Sequence, residues 1–233
     1  MANNGQEAFL NRIADKLGRP RRSGVISPVR DAKPYAHLHQ GLDHEGLIQQ
    51  FIENLRTLRT EVQRVLPQEI DEAFARIIEA SPVRSAVYWD DERLHALGLA
   101  NLLDTHGIVH RAWDVSSNEQ ELRHYASGVE MGIVYAEIGL SETGTVLLWN
   151  GGGRGRLVSL LPPIFVAILS ETAIVPRMTE GVAYIKERMP DGLPACVNFI
   201  TGPSRTGDIE MDLAFGVHGP GKVHIILIKE EKQ

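Results

Sequence analysis

The sequence predicts an α/β protein: a central, mostly parallel sheet flanked by helices, with a helical extension at the N-terminus. Three observations predict it. Strand-like and helix-like stretches alternate between residues 83 and 137, the signature of βαβ units. A chain of 233 residues with 43% hydrophobic content can bury a substantial core as one domain with a smaller appendage. After residue 140 further apolar runs are separated by glycine-rich segments, so nearly all special backbone positions fall in the second half. The organisation expected is a helix and extended arm over 1–42, then a single α/β domain over 43–233.

Phe9, Ile13, Ala14 and Leu17 recur at helical spacing before Gly18, predicting a short amphipathic helix over 5–17. Prolines at 20, 28 and 34, several basic residues, His37 and His39 make 18–42 a linker or arm. From Asp43 as N-cap, Leu47, Ile48, Phe51, Ile52, Leu55, Leu58, Val62 and Leu66 mark one face of a long helix ending near Pro67. A second helix carries Ile70, Phe74, Ile77 and Ile78. VRSAVYW then reads as a strand, 91–105 as a helix, IVHRAWDV as a strand, 118–126 as a helix and VEMGIVYAE as a strand. TGTVLLW, PIFVAILS, ACVNFI and KVHIILI are further strands, with TEGVAYIKERM a helix between the second and third.

Composition excludes several classes. A net charge of −6 is too acidic for a protein whose main task is neutralising nucleic-acid phosphates. Cys196 is the only cysteine, so the chain forms no internal disulfide and supplies no four-cysteine iron–sulfur or zinc site. The N-terminus lacks the continuous apolar core of a signal peptide, and no window approaches the roughly 18 to 20 uncharged apolar residues of a membrane span. A soluble, cytoplasmic protein without direct membrane insertion is expected.

Three loops carry candidate chemistry. EIGLSETGT (137–145) joins two strands and offers Glu137 and Glu142; a carboxylate at the carboxyl edge of a parallel sheet can act as base, nucleophile or ligand, or be a solvated turn residue. NGGGRGR (150–156) can form an anion-binding nest from Gly152, Gly153 and Gly155, with Arg154 and Arg156 adding forked positive charge, or be a mobile glycine hairpin. It has neither the GxGxxG order of a dinucleotide site nor the Lys-Ser/Thr pair of a phosphate loop. ITGPSRTGDIE (200–210) leaves a strand through Thr201 and Gly202; Ser204, Arg205 and Thr206 stand where a helix N-terminus would bind an anion. Asp208 is a cap for the next element, or with Glu210 an anchor for Arg205 or Arg156. His218 and His224 show no second cluster at ligand spacing, so no metal site is expected.

The strings SETGT, GRLVSLLPPIFVAIL, IVPRM and NFITGPSRTGDIEMDLAFGVHGPG, with FLNRIADKLGR at the start, resemble the lactate-utilisation protein C family of LUD-domain proteins over essentially the whole chain. The resemblance implies a NagB/RpiA/CoA-transferase-like fold and a part in oxidising L-lactate to pyruvate for growth on lactate, beside two iron–sulfur proteins. It implies that the clusters sit on those partners and that this chain holds no cofactor. The matching positions are Glu142, Gly144, Thr145, Gly155, Arg156, Ser159, Leu160, Pro162, Pro176, Arg177, Thr201, Gly202, Pro203, Ser204, Asp208, Ile209, Glu210, His218 and Gly219. In the wider fold group a glutamate near a glycine is the nucleophile of CoA transferases, which makes Glu142 its analogue on fold analogy alone.

Two readings stand at this level. In one, the chain is the non-redox subunit of a lactate-oxidising system, and its loops bind a small anion, with Arg154, Arg156 and Arg205 suited to a carboxylate, or shape a surface for an iron–sulfur partner. In the other it is an independent enzyme or sensor for a phosphate-bearing ligand such as a nucleotide, CoA or sugar phosphate.

Overall fold

The computed structural model describes residues 4–21, 24, 41–190, 192–209 and 212–230. The chain divides into two compact units, Met1–Gln40 and Gly41–Gln233. The first holds helix α1 (Asn4–Lys16), which closes at Gly18, whose N–H donates to the Asp15 carbonyl at 3.1 Å. Arg21 pairs with Glu7 on α1. Of the arm expected over 18–42, residues 22–23 and 25–40, which include His37 and His39, lie outside the described residues.

The second unit runs α2 (His44–Thr57), β1 (Glu61–Val65), α3 (Ile70–Ala80), β2 (Ser85–Trp89), α4 (Glu92–Ala96), α5 (Leu99–Thr105), β3 (Val109–Trp113), α6 (Glu119–Gly128) and β4 (Met131–Tyr135). It continues with β5 (Ile138–Leu140), β6 (Thr145–Trp149), β7 (Ile164–Ser170), β8 (Ile174–Val175), α7 (Met178–Arg188), β9 (Val197–Ile200), β10 (Arg205–Ile209), β11 (Asp212–Phe215) and β12 (Lys222–Ile228).

The main sheet has six strands in the order β1-β12-β7-β4-β2-β3, every neighbouring pair parallel. Its central strands are buried on both faces, which is why IFVAIL and VHIILI read as unbroken apolar runs rather than alternating ones. Phe51, Phe74, Trp89 and Phe165 are fully buried around this sheet. Helix α2 turns Leu47, Ile48, Phe51, Ile52 and Leu55 into the core, and Asp43 caps it by accepting the Gly46 N–H at 2.8 Å. A second sheet, β8-β5-β6-β9, is mixed, with β5–β6 and β6–β9 antiparallel. A hairpin, β10–β11, stands apart from both sheets.

Three sequence expectations change. The long helix stops at Thr57, and Glu61–Val65 becomes edge strand β1 instead. Leu58, Val62 and Leu66 fit a helical face, but the open edge of β12 captures the segment, an outcome of tertiary pairing that local periodicity does not encode. The helix over 91–105 is interrupted at Leu97–Gly98 into α4 and α5. Among the described residues no helix begins after Ser204; Arg205–Ile209 is a strand in place of the anion-binding helix terminus expected there. Among the described residues no helix is long and apolar enough to cross a membrane.

Candidate functional site

At the amino end of the parallel sheet, loops distant in sequence are tied together around the β5–β6 turn. Asn54 of α2 donates its amide to the carbonyls of Ser141 and Glu142 at 2.8 and 3.0 Å. The buried Ser141 hydroxyl donates to the Leu47 carbonyl at 2.8 Å, and the Glu142 N–H donates to the Pro176 carbonyl at 2.9 Å. The Glu142 carboxylate, partly exposed, faces the guanidinium of Arg177 at 3.2 Å. Gly144 makes the turn possible: its φ is 60°, and a side chain there would meet the Leu55 backbone nitrogen at 2.9 Å.

From this turn a file of hydroxyls leads to the β9 exit. Thr143 and Thr145 lie 2.7 Å apart at their Oγ1 atoms, and Thr145 and Thr201 are again 2.7 Å apart. Gly202 then turns the chain at φ 71°, pressed so closely on Leu58 that a Cβ would lie 2.9 Å from the Leu58 Cβ. The Ser204 N–H donates to the Pro220 carbonyl at 2.9 Å, and its carbonyl accepts the Gly216 N–H at 3.0 Å. These bonds bring TGPS against VHGPG. Between them lies a cavity of about 230 Å³ lined by Ser159, Thr201, Gly202, Ser204, His218 and Gly219, with Phe165, Phe199 and Val223 as apolar wall. Phe165 and Val223 are each the second residue of their strands, which fixes the cavity at the sheet's amino end.

The carboxyl end is built differently. Asp91 follows β2 and Glu137 follows β4, both carboxylates are buried, and two guanidiniums satisfy them. Arg93 donates from Nε to Asp91 Oδ1 at 2.9 Å and from Nη2 to Asp91 Oδ2 at 2.7 Å; the same Nη2 reaches Glu137 Oε1 at 2.8 Å. Arg154 places Nε 3.0 Å from Asp91 Oδ2 and Nη1 2.8 Å from Glu137 Oε1. Burial pushes the Asp91 carboxyl up, but the hydrogen bonds and charge of Arg93 outweigh it and hold the group below its ordinary value. The Arg93 guanidinium lies 4.4 Å from the centre of the Tyr135 ring.

This cluster fastens the glycine loop. The Asp90 N–H donates to the Gly153 carbonyl at 3.0 Å, and the Trp89 indole N–H donates to the Gly155 carbonyl at 2.9 Å. A Cβ on Gly153 would come within 2.5 Å of Asp90, and one on Gly155 within 2.1 Å of the Trp113 ring. Gly153 and Gly155 of NGGGRGR therefore serve close packing against strand ends, while Gly152 serves the turn itself, with φ 53° and open space around it.

The residues singled out in the sequence thus separate. Glu142, Gly144, Thr145, Thr201, Gly202, Ser204, Ser159 and His218 meet at the amino end. Gly152, Gly153, Arg154 and Gly155 belong to the loop at the carboxyl end, where Arg154 is neutralised by carboxylates rather than offered to an anion. Arg156 is exposed and lines a different cavity with α6 residues Arg123 and His124. Arg205 is exposed on β10; the Asp208 side chain and Glu210 lie outside the described residues. His224 is buried beside Glu61, with Nδ1 3.3 Å from the carboxylate, and burial lowers its pKa. Among the described residues no three of His, Cys, Asp and Glu stand together as a metal site. Sequence reasoning missed Asp91, Arg93 and Asn54. The signal for the first two was DDER directly after a strand, which puts carboxylates at a sheet's carboxyl edge.

The sequence model of the LUD domain matches residues 48–228. Lactate utilization protein C 1 of Bacillus mycoides is 37% identical over 234 residues, covering 99% of this chain and 100% of that protein. Lactate utilization protein C of Bacillus licheniformis is 37% identical, covering 97% of this chain and 96% of its own, and that of Bacillus subtilis is 35% identical with the same coverages. The crystal structure of a duf162 family protein from Deinococcus radiodurans superposes with a TM-score of 0.59 at 20% identity, over 80% of this chain and 99% of that one, which shows the likeness of fold.

Proposed function

The chain belongs to the LUD domain family, and on that premise we propose that it is the non-redox component of a cytoplasmic system that oxidises L-lactate to pyruvate, acting with two iron–sulfur proteins. The observation that carries this reading is end-to-end similarity to proteins named for lactate utilization, at 35 to 37% identity over at least 97% of this chain. One cysteine in 233 residues cannot ligate a four-cysteine cluster, which supports assigning electron transfer to the partners and no cofactor to this chain.

Within that role the amino-end site is the working surface. Glu142 is fixed through its backbone by Asn54 and Pro176 and through its carboxylate by Arg177, the rigidity a functional carboxylate needs. A cavity of about 230 Å³ lined by serines, a threonine and phenylalanines suits a small ligand, or a partner side chain, of mixed polarity. The second reading, an independent enzyme or sensor for a phosphate-bearing ligand, draws less from this cavity. Among the described residues lining it there is no arginine or lysine, so the cavity itself does not support a phosphate group there.

Reconstitution of lactate oxidation from purified components tests the first reading. Omitting the chain should abolish turnover, and Glu142→Gln and Ser204→Ala should each impair it; turnover that is indifferent to the chain refutes the role. Co-purification of the full chain should recover both iron–sulfur proteins.

A further inference from the structure

Outside the site described above, the structure places unspent positive charge where α2 gives way to β1, and we propose that this junction binds an oxyanion, a carboxylate or phosphate group, through Arg56, Arg59 and Thr60. The three residues line a cavity of about 540 Å³ together with Glu61 and Val62. Neither guanidinium has an ion-pair partner among the described residues, in contrast to Arg64, Arg93, Arg154 and Arg177, each held by a carboxylate. The one carboxylate in the wall, Glu61, is turned toward His224 at 3.3 Å.

Two features mark the junction as built for something. Among the described residues Arg59 is the one non-glycine residue in the left-handed region, with φ 61°. Such a conformation is unfavourable for a residue with a Cβ and persists where the surroundings impose it. Here it sets the guanidinium over the ring of Phe215, 4.8 Å from its centre, so that the charge is oriented in advance. Phe215 is itself held in the β10–β11 ladder, opposite Arg205. Thr60 is 2% exposed, and its Oγ1 has no hydrogen-bond partner. A buried hydroxyl left unmatched is unfavourable, and a turn of the Thr60 side chain from Gly202 toward the cavity would add an O–H donor to the two guanidiniums that an oxyanion's lone pairs fit. The site is separate from the hydroxyl cavity: Gly202, which lines that cavity, lies against Leu58 and Thr60 on this side.

The test uses the full chain, with inorganic phosphate and L-lactate as separate probes and chloride at equal ionic strength as reference, read by calorimetry and thermal shift. At least one probe should bind and chloride should not; which one binds identifies the source of the oxyanion. Arg59→Gly is the informative variant, because glycine relieves the backbone conformation while removing the charge. It should weaken binding about tenfold or more, equivalent to about 1.4 kcal/mol, without lowering the melting temperature. Thr60→Val, which keeps shape and removes the donor, should also weaken binding. Arg76→Ala on α3, removing an equal charge elsewhere, should not. Absence of binding by both probes, or binding that survives Arg59→Gly and Thr60→Val unchanged, overturns the proposal, as does an Arg59→Gly protein that melts lower and binds normally.

Discussion

Replacing Glu137 by glutamine removes one of four charges in a cluster that is otherwise balanced, and its cost follows from the geometry. The carboxylate accepts from Arg93 Nη1 at 3.3 Å and Nη2 at 2.8 Å, and from Arg154 Nη1 at 2.8 Å. Breaking a fully buried pair costs about 3–5 kcal/mol, because a charge is left without compensation. The Glu137 side chain is 6% exposed, but those of Arg93 and Arg154 are 33% and 28% exposed, so water screens part of the loss. Glutamine also keeps the volume and one acceptor oxygen. A loss of about 2–3 kcal/mol is expected, which in a unit of this size lowers the melting temperature by about 4–12 °C. Arg154→Met leaves Arg93 to hold both carboxylates and should cost about 1–2 kcal/mol. The double variant restores charge balance and should lose less than the sum of the two, by about 1–2 kcal/mol of coupling. Urea denaturation of the four proteins gives these numbers, and hydrogen exchange of the glycine loop should rise in both arginine and glutamate variants. A Glu137→Gln protein within about 0.5 kcal/mol of wild type, or additive single variants, would refute the cluster as the fastening of that loop.

Other perturbations follow from the same structure. Gly132→Ala should abolish folding or cost well over about 3 kcal/mol, since a Cβ would lie 1.9 Å from the Val158 carbonyl oxygen; soluble yield and circular dichroism check it. Thr145→Val should cost about 0.5–1.5 kcal/mol in urea denaturation by removing its hydrogen bonds to Thr143 and Thr201, whose exposed hydroxyls can turn to water. Asp91 has a folded pKa below its ordinary 3.8, so its contribution is complete above that value and is lost as pH falls through the lower folded value. Melting temperatures should accordingly fall below about pH 4, and Asp91→Asn, less stable at neutral pH, should show a shallower fall over that range.

What could be read from the sequence was whatever local patterns determine. Asp43 as N-cap, the runs IFVAILS and KVHIILI, and the turn glycines all announced themselves through neighbours in sequence. The misread Glu61–Val65 was decided by the vacant edge of β12, more than 150 residues away in the chain, and no window around it carries that information. The hairpin β10–β11 was hidden in the same way, because Thr206, Gly207 and Asp208 look like a loop until Arg205 finds Phe215. At the site, SETGT, TGPS and VHGPG were legible as unusual strings, and their meeting depended on the Thr145–Thr201 contact that only the folded sheets bring about. The arginines divided least predictably. Arg154 and Arg156 are two residues apart, yet one is locked between Asp91 and Glu137 and the other faces α6.

That division bears on where a ligand can act. Open α/β sheets usually bind ligands at the carboxyl ends of their strands, where loops leave a crevice and charges await a partner. Here two carboxylates and two guanidiniums neutralise each other at that end, and glycines 153 and 155 let the loop close down on Asp90 and Trp113. An incoming anion would have to displace Glu137 or Asp91 from Arg154, exchanging charge-assisted hydrogen bonds already formed for new ones, with little net gain. The amino end offers the reverse balance: a carboxylate held by Arg177 on the β5–β6 turn, hydroxyls in the cavity wall, and arginines at the α2–β1 junction with no described acidic partner. A molecule with a formal charge of −6 would repel small anions at long range, so positive charge must be gathered locally if one is to be held. Arg56 and Arg59 gather it on one side of Gly202, with the hydroxyl cavity on the other, so a glycine that no larger residue can replace separates the two sites.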